Sequence, residues 1–385
     1  MEYFLDEEQK TIKSLARRIA EERIMPVRAE LDEKEKFPWE IMKELADADM
    51  FRVFIPEEYE GLGGRCLDLC LVVEELSRAC GGIAICYAAT ALGCLPVVHH
   101  GSEEQKQKYL PGVAAGKRLA AFALTESTAG SDAGNIRTTA SPEKGYYVLN
   151  GTKQFITNGG EAEIYTVIAM TDPAKGSRGA SAFVVEKGTP GFSFGKKEKK
   201  MGIRSSATRE LIFRDCRVPE ENLIGKEGQG FIITVRTLDR SRPGVAAQAV
   251  GIAQGALEAA VDYARQRIQF GHPISSLQAV QHMLANMAIE LEAARAMVYA
   301  VARTIDSGAR NFAEEAAMAK VFAADMAMKV TTDAVQIFGG VGYMCDYPIE
   351  KMMRDAKITQ IYEGTNQVLR NEIALQVLKR KALRE

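Results

Sequence analysis

The periodicity of the apolar residues changes twice along this chain, and each change marks a boundary between kinds of secondary structure. Up to about residue 120 apolar residues recur at helical spacing, as in Ile12, Leu15, Ala16, Ile19 and Ala20 and again from Ile41 to Met50, with Pro26, Pro38 and Pro56 punctuating them. Leu67 to Gly93 is a long apolar helical region broken at Gly81-Gly82. From Leu119 to about Asp215 the text shortens to β-type runs: Tyr146 to Leu149 followed by a turn at Asn150-Gly151, Ile164 to Met170, Ser181 to Glu186, and Glu210 to Phe213. Beyond Gly225 to Gly230 it turns helical again, with Leu284, Met287, Leu291, Val298, Val301 and Ile305 forming one stripe in Ala-rich text. A chain of 385 residues exceeds what one hydrophobic core sustains, so this order predicts a multidomain α and β protein. The expected domains are a helical one at 1–120, an all-β one at 121–230 and an antiparallel helical bundle at 231–385, whose helix faces suit oligomer contacts.

A net charge of −2 with 26% charged residues implies no polyanion partner, so nucleic acid is not expected. The first six residues have neither a basic nor a long apolar segment, and no run of 18 apolar residues occurs, so neither a visible signal nor a membrane span is expected. The seven cysteines, at 66, 70, 80, 86, 94, 216 and 345, form no CxxC pair and read as reduced, mostly buried thiols of a cytosol-like compartment, the cytoplasm of a bacterial protein or the mitochondrial matrix of a mature eukaryotic one. His99-His100 cannot share one ligand sphere as neighbours on a helix, so no metal is expected. Gly340-Val341-Gly342 lacks the third glycine of a dinucleotide loop, and neither GxxxxGK[ST] nor GxSxG is present.

Chemistry concentrates in Gln360 to Gln367, Gln-Ile-Tyr-Glu-Gly-Thr-Asn-Gln, where Glu363 stands among Ile361, Tyr362 and Gly364. Desolvation there raises a carboxyl pKa toward working pH, as a general base needs, and Thr365, Asn366 and Gln367 offer neutral hydrogen-bonding groups. The same octapeptide also reads as a helix N-terminus capped by Thr365. In the β region, Phe122-Ala-Leu-Thr-Glu-Ser-Thr-Ala-Gly-Ser-Asp132 and Phe155-Ile-Thr-Asn-Gly-Gly160 place hydroxyl and backbone donors beside apolar rings. That suits a flat, partly apolar heterocycle edged with carbonyls, such as an isoalloxazine, and it also suits a pair of β-turns.

Together with Gln266 to Gly271, Asp333 to Gly340 and Arg354 to Thr365, these stretches resemble the acyl-CoA dehydrogenase family over essentially the whole chain. The resemblance implies a homotetramer, each subunit having an N-terminal helical domain, a middle β-barrel and a C-terminal four-helix bundle, with FAD bound non-covalently. It places Phe122, Leu124, Thr125 and Ser131 on the flavin side of the β domain, with Phe155 and Thr157 near the ring. Arg267, Gln269, Phe270, Gln336, Gly339 and Gly340 match cross-subunit FAD contacts, and Thr365 and Gln367 match positions beside the adenosine diphosphate part. Ser131, Asp239, Arg242, Tyr362 and Gly364 are implied to border the acyl-CoA.

The implied reaction is oxidation of an acyl-CoA thioester to the trans-2-enoyl-CoA, with Glu363 removing the α-proton and electrons passing to electron-transfer flavoprotein. A flavin oxidase using O2 and a catalytically silent helical scaffold are the alternatives. Ser241 stands where isovaleryl-type and long-chain-type members carry their base, and Ala84 and Ser77 stand where glutaryl-type members carry Arg and Glu. Ser127 replaces the usual proline of the Leu-Thr-Glu-Pro run. Ala84, Ala88 and Ala89 are expected to leave the far end of the acyl pocket roomy.

Overall fold

Asp6 accepts from the Gln9 amide while the Gln9 side chain accepts from the Asp6 amide, and this capping box starts the first helix of the computed structural model, which describes residues 3–382. The N-terminal region is helical: α1 (Glu7–Ile19), α2 (Arg28–Glu33), α3 (Trp39–Asp47), α4 (Cys66–Ala79), α5 (Gly81–His100) and α6 (Glu103–Ala114). Cys80, extended at φ −161°, separates α4 from α5 just before Gly81-Gly82, the expected break; both glycines instead open α5.

The middle region holds β1 (Ala120–Ala123), β2 (Thr139–Glu143), β3 (Tyr146–Thr157), β4 (Ile164–Met170), β5 (Ala180–Glu186), β6 (Phe192–Lys197), β7 (Thr208–Pro219) and β8 (Leu223–Ile224). Their order is β6-β7-β3-β2-β4-β5-β8, with β1 parallel to β4. The expected barrel is therefore an open eight-stranded sheet. Closure needs a continuous ladder between the outer strands, and here one edge, β8, is two residues long while the other, β6, loses register between Phe194 and Lys197. The predicted turn at Asn150-Gly151 is instead a bulge inside β3, where pairing with β7 shifts between Leu149 and Gly151. Gly151 lies at φ 149° against Thr138, and an added Cβ would come within 2.7 Å of the Thr138 Cα. β4 is buried along its whole length, and Thr166 donates to the Gly93 carbonyl of α5 at 2.9 Å, which fixes the sheet against that helix.

After the sheet come α7 (Gly230–Gln266), a short hairpin of β9 (Ile268–Gln269) and β10 (His272–Pro273), α8 (Gln278–Asp306), α9 (Ala313–Phe338), α10 (Ile349–Thr359) and α11 (Asn366–Ala382). The long helices α7, α8 and α9 pack on one another, α10 lies on α7 and α9, and α11 lies on α9. Polar contacts weld this region to the N-terminal helices. The Cys66 and Leu67 amides that open α4 donate to the Asp306 carboxylate at the end of α8, at 2.6 and 2.9 Å. Glu74 of α4 receives Arg295 at 3.0 Å and the Tyr299 hydroxyl at 2.8 Å, all three buried. Two helices, α5 and α7, are long and apolar enough to cross a bilayer, although the sequence suggested no span; 78% and 72% of their most apolar windows are buried inside the fold, as befits core helices. Cysteines 70, 80, 86, 94 and 216 are buried, Cys66 is half-buried, Cys345 is exposed, and all seven are free.

Candidate active site

The turn between α10 and α11 carries Glu363 and Gly364 at φ 52° and 94°, the left-handed region that costs a glutamate but not a glycine. Such a turn persists only if its surroundings hold it. Its neck is closed by the Asn366 amide donating to the Gln360 carbonyl at 3.0 Å. Lys320 of α9 donates to the Gly364 carbonyl at 2.7 Å and to the Asn366 side-chain oxygen at 3.0 Å. Asp325, one turn along α9, accepts from Gln360 at 2.6 Å and from Asn366 at 2.8 Å. Thr365 accepts from the Val368 amide at 3.2 Å, so it does cap α11, as the helix-terminus reading of this octapeptide expects.

The Glu363 side chain is half-buried on a cavity of about 420 Å³, and the Ser241 hydroxyl of α7 donates to its carboxylate. Burial raises the Glu363 pKa, opposed by the Ser241 hydrogen bond and by the charges of Lys320 and Arg242. Tyr362 also lines the cavity, and its hydroxyl donates to Gln248 of α7. Arg242 lines it too; its guanidinium meets Asp239 at 2.7 Å and Glu372 at 3.3 Å.

The opposite wall comes from the sheet. Phe122, Leu124 and Thr125 arrive at the end of β1, Ser131 on the following loop, and Phe155 and Thr157 at the end of β3. The wall is pinned from behind by a buried pair: Lys153 meets Glu126 at 2.7 Å and the Leu124 carbonyl at 3.0 Å, while Glu126 also accepts from the Arg137 and Thr138 amides. Burial lowers the Lys153 pKa to about 8, against the pull of Glu126. Phe155 sits at φ 58° with 61% of its surface open. The hydroxyls of Thr125, Ser131 and Thr157 make no hydrogen bond among the described residues. An open phenyl ring and three unspent hydroxyls on one wall fit a flat heterocycle with polar edges, as FAD presents.

Not every predicted residue reaches this cavity. Asp239 lines a neighbouring cleft of about 910 Å³ with Arg236, Arg240 and Arg310, and Val235 borders both spaces. Burial raises the Asp239 pKa to about 6, with Arg242 opposing. Thr365 is half-buried in the turn and Gln367 is exposed. Arg267, Gln269 and Phe270 on the β9 hairpin, and Gln336, Gly339 and Gly340 at the end of α9, are exposed and border neither space. Ala84 is buried away from the cavity, and of the three alanines expected at the acyl end only Ala89 lines it, flanked by Ile85 and Leu92. Among the described residues no cluster of His, Cys, Asp or Glu could hold a metal.

Sequence reasoning missed Lys320, Asp325, Gln248, Glu372 and the Lys153–Glu126 pair. Lys320 had a signal: it lies on a stripe of α9 with the buried residues Ala316, Ala317, Ala319, Ala323 and Ala324, where a lysine needs a partner.

Three family models match the chain: the N-terminal domain of acyl-CoA dehydrogenase over residues 6–117, the middle domain over 121–216 and the C-terminal domain over 228–378. An acryloyl-CoA reductase (NADH) of Anaerotignum propionicum is 48% identical over 382 residues, 99% of this chain and 97% of that protein. The solved butyryl-CoA dehydrogenase of Megasphaera elsdenii superposes with a TM-score of 0.96 at 47% identity, covering 98% of this chain and 100% of that one. A structure described as an electron transferring flavoprotein of Acidaminococcus fermentans gives a TM-score of 0.96 at 52% identity, covering 98% of this chain and 100% of that one.

Proposed function

The chain belongs to the acyl-CoA dehydrogenase family of FAD-dependent oxidoreductases, and on that premise we propose that it oxidises a short-chain acyl-CoA to the trans-2-enoyl-CoA with Glu363 as the base. One observation carries the reading: a desolvated carboxylate shares a small cavity with an open aromatic ring and three unused hydroxyls.

Phe122, Leu124, Thr125, Ser131, Phe155 and Thr157 would hold the flavin on the sheet wall, leaving Glu363 on the helical wall. FAD, when bound, accepts the two electrons that leave the β-carbon. Glu363 takes the α-proton on a carboxylate oxygen, and its raised pKa makes it a stronger base than an exposed glutamate. Ser241, donating to that carboxylate, restricts its rotation and presents it in one orientation. The backbone N–H of Glu363 makes no hydrogen bond among the described residues, which supports its donating to the thioester oxygen as negative charge develops there.

The walls support a small acyl group. Ile85, Leu92 and Tyr362, the last held by Gln248, narrow the cavity, and the similarity to a butyryl-CoA dehydrogenase supports a short acyl chain. The guanidinium groups of Arg236, Arg240 and Arg310 suit the phosphates of the CoA nucleotide in the adjoining cleft, with Val235 between it and the reacting end. Electron-transfer flavoprotein is the proposed acceptor, supported by the likeness to the Acidaminococcus fermentans structure. The exposed strip of Arg267, Gln269, Phe270, Gln336, Gly339 and Gly340 supports a homotetramer in which each copy contacts its neighbour's FAD. A second reading, reduction of an enoyl-CoA, is favoured by the acryloyl-CoA reductase relative and uses the same groups in reverse, a protonated Glu363 supplying the α-proton.

The test is anaerobic mixing of the yellow protein with butyryl-CoA. Bleaching of the oxidised flavin is expected, with reoxidation by electron-transfer flavoprotein far faster than by O2. Stoichiometric peroxide at the full turnover rate would establish an oxidase instead.

A further inference from the structure

Two cations flank the helical wall of the cavity, and their charges are not equally available to Glu363. Arg242 is already shared between the carboxylates of Asp239 and Glu372, at 2.7 and 3.3 Å. Lys320, fully buried, has only neutral hydrogen-bond partners, the Gly364 carbonyl at 2.7 Å and the Asn366 side-chain oxygen at 3.0 Å. The nearby carboxylate on its own helix, Asp325, is taken by Arg370 at 2.5 Å as well as by Gln360 and Asn366. The other polar groups around Glu363, the Ser241 hydroxyl of α7 and the Tyr362 hydroxyl, carry no charge, the latter because burial raises its pKa well above the ordinary value. A buried ammonium with neutral ligands is costly unless an anion stands close by, and Glu363 is the anion left to fill that role.

We propose that Lys320 is the positioning residue of the base: it tethers the left-handed Glu363–Gly364 turn through the Gly364 carbonyl and supplies the buried positive charge that favours the ionised carboxylate. Burial lowers the Lys320 pKa to about 8 while Glu363 pulls it up, and burial raises that of Glu363 while Lys320 pulls it down. Each group thus offsets the other's desolvation. The role explains why a lysine sits at a packed alanine stripe: without it the same cavity would hold a protonated, unreactive Glu363 over more of the working range. It rests on Glu363 being the base.

Two substitutions separate the tether from the charge. Lys320→Gln keeps an N–H donor for the Gly364 carbonyl and removes the charge; Lys320→Met removes both. Infrared titration of the flavin-loaded protein, with the Glu363 band identified by its absence in Glu363→Gln, reads the carboxyl without any turnover. In Lys320→Gln the Glu363 midpoint is expected to rise by about one pH unit or more. The acid limb of the flavin-reduction rate should rise with it, and the rate at high pH should return to that of the parent. Lys320→Met should show the same shift and a lower plateau at every pH, because the turn is no longer held. A Gln variant whose titration superimposes on the parent's overturns the proposal, as does a Met variant that only melts earlier with an unshifted midpoint. If no acyl thioester reduces the flavin at all, the assignment of the reaction fails while the infrared shift still stands or falls by itself.

Discussion

The cavity around Glu363 and the exposed strip at the end of the helical bundle both hold hydrogen-bonding side chains, yet only the cavity is braced from behind by partners within the chain. Around the cavity both walls are braced from behind: Lys153 and Glu126 under the sheet wall, Lys320 and Asp325 under the Glu363–Gly364 turn. At the strip, stacking of Tyr263 on Phe338 at 4.2 Å brings the β9 hairpin and the end of α9 to the same place, but Phe270 is 86% exposed and nearby Tyr343 81%. Large aromatic rings left in water with no brace are what the proposed homotetramer would cover. On the proposed function, reaction geometry would be set inside one subunit, whereas cofactor retention is expected to depend on assembly.

The sharpest test of the first half is Glu363→Gln, which keeps shape and backbone donor but cannot take a proton. Flavin reduction by acyl-CoA is expected to fall by about 10²-fold to 10⁴-fold with FAD still bound. Adding Ser241→Glu should restore part of the rate, since Ser241 touches the same carboxylate from α7. Near-parental reduction in the single variant would remove Glu363 from its role. Next in size is Lys153→Met, which strands Glu126 in the sheet wall. A loss of roughly 3–5 kcal/mol is expected, read as a lowered melting temperature. If the melt is unchanged, the wall is not braced as described. Smallest in stability, and aimed at the other region, is Arg267→Ala: the melt should move by less than about 0.5 kcal/mol while FAD is lost on dilution and dialysis. A variant that stays fully flavinated would contradict the cross-subunit role.

How much of this was legible in the sequence depended on distance along the chain. Glu363, Gly364 and Thr365 are neighbours, and so are Phe122 to Ser131 and Phe155 to Thr157, so their motifs could be read directly. Lys320 acts 44 residues from Gly364 and Lys153 acts 27 from Glu126, separations at which no local pattern links the partners. Asn150-Gly151 misled for a different reason: the dihedral freedom that makes a tight turn also makes a bulge, and only the pairing of β3 with β7 chose between them. Openness of the sheet was equally invisible, because strand count says nothing about whether the two outer strands meet.

Asp306 caps α4 across 240 residues of sequence, and Arg295 neutralises Glu74 across 221. During synthesis, then, the first hundred or so residues emerge with the start of α4 uncapped and with Glu74, which Lys13 of α1 meets at 3.3 Å, still lacking its partners from α8, whereas Glu75 finds Lys13, Arg17 and Arg78 within the N-terminal helices. The contacts of α4 with α8 can therefore be completed only after residue 306 has been made. A chain stopped before α8 is expected to leave in water the face of α4 that α8 covers.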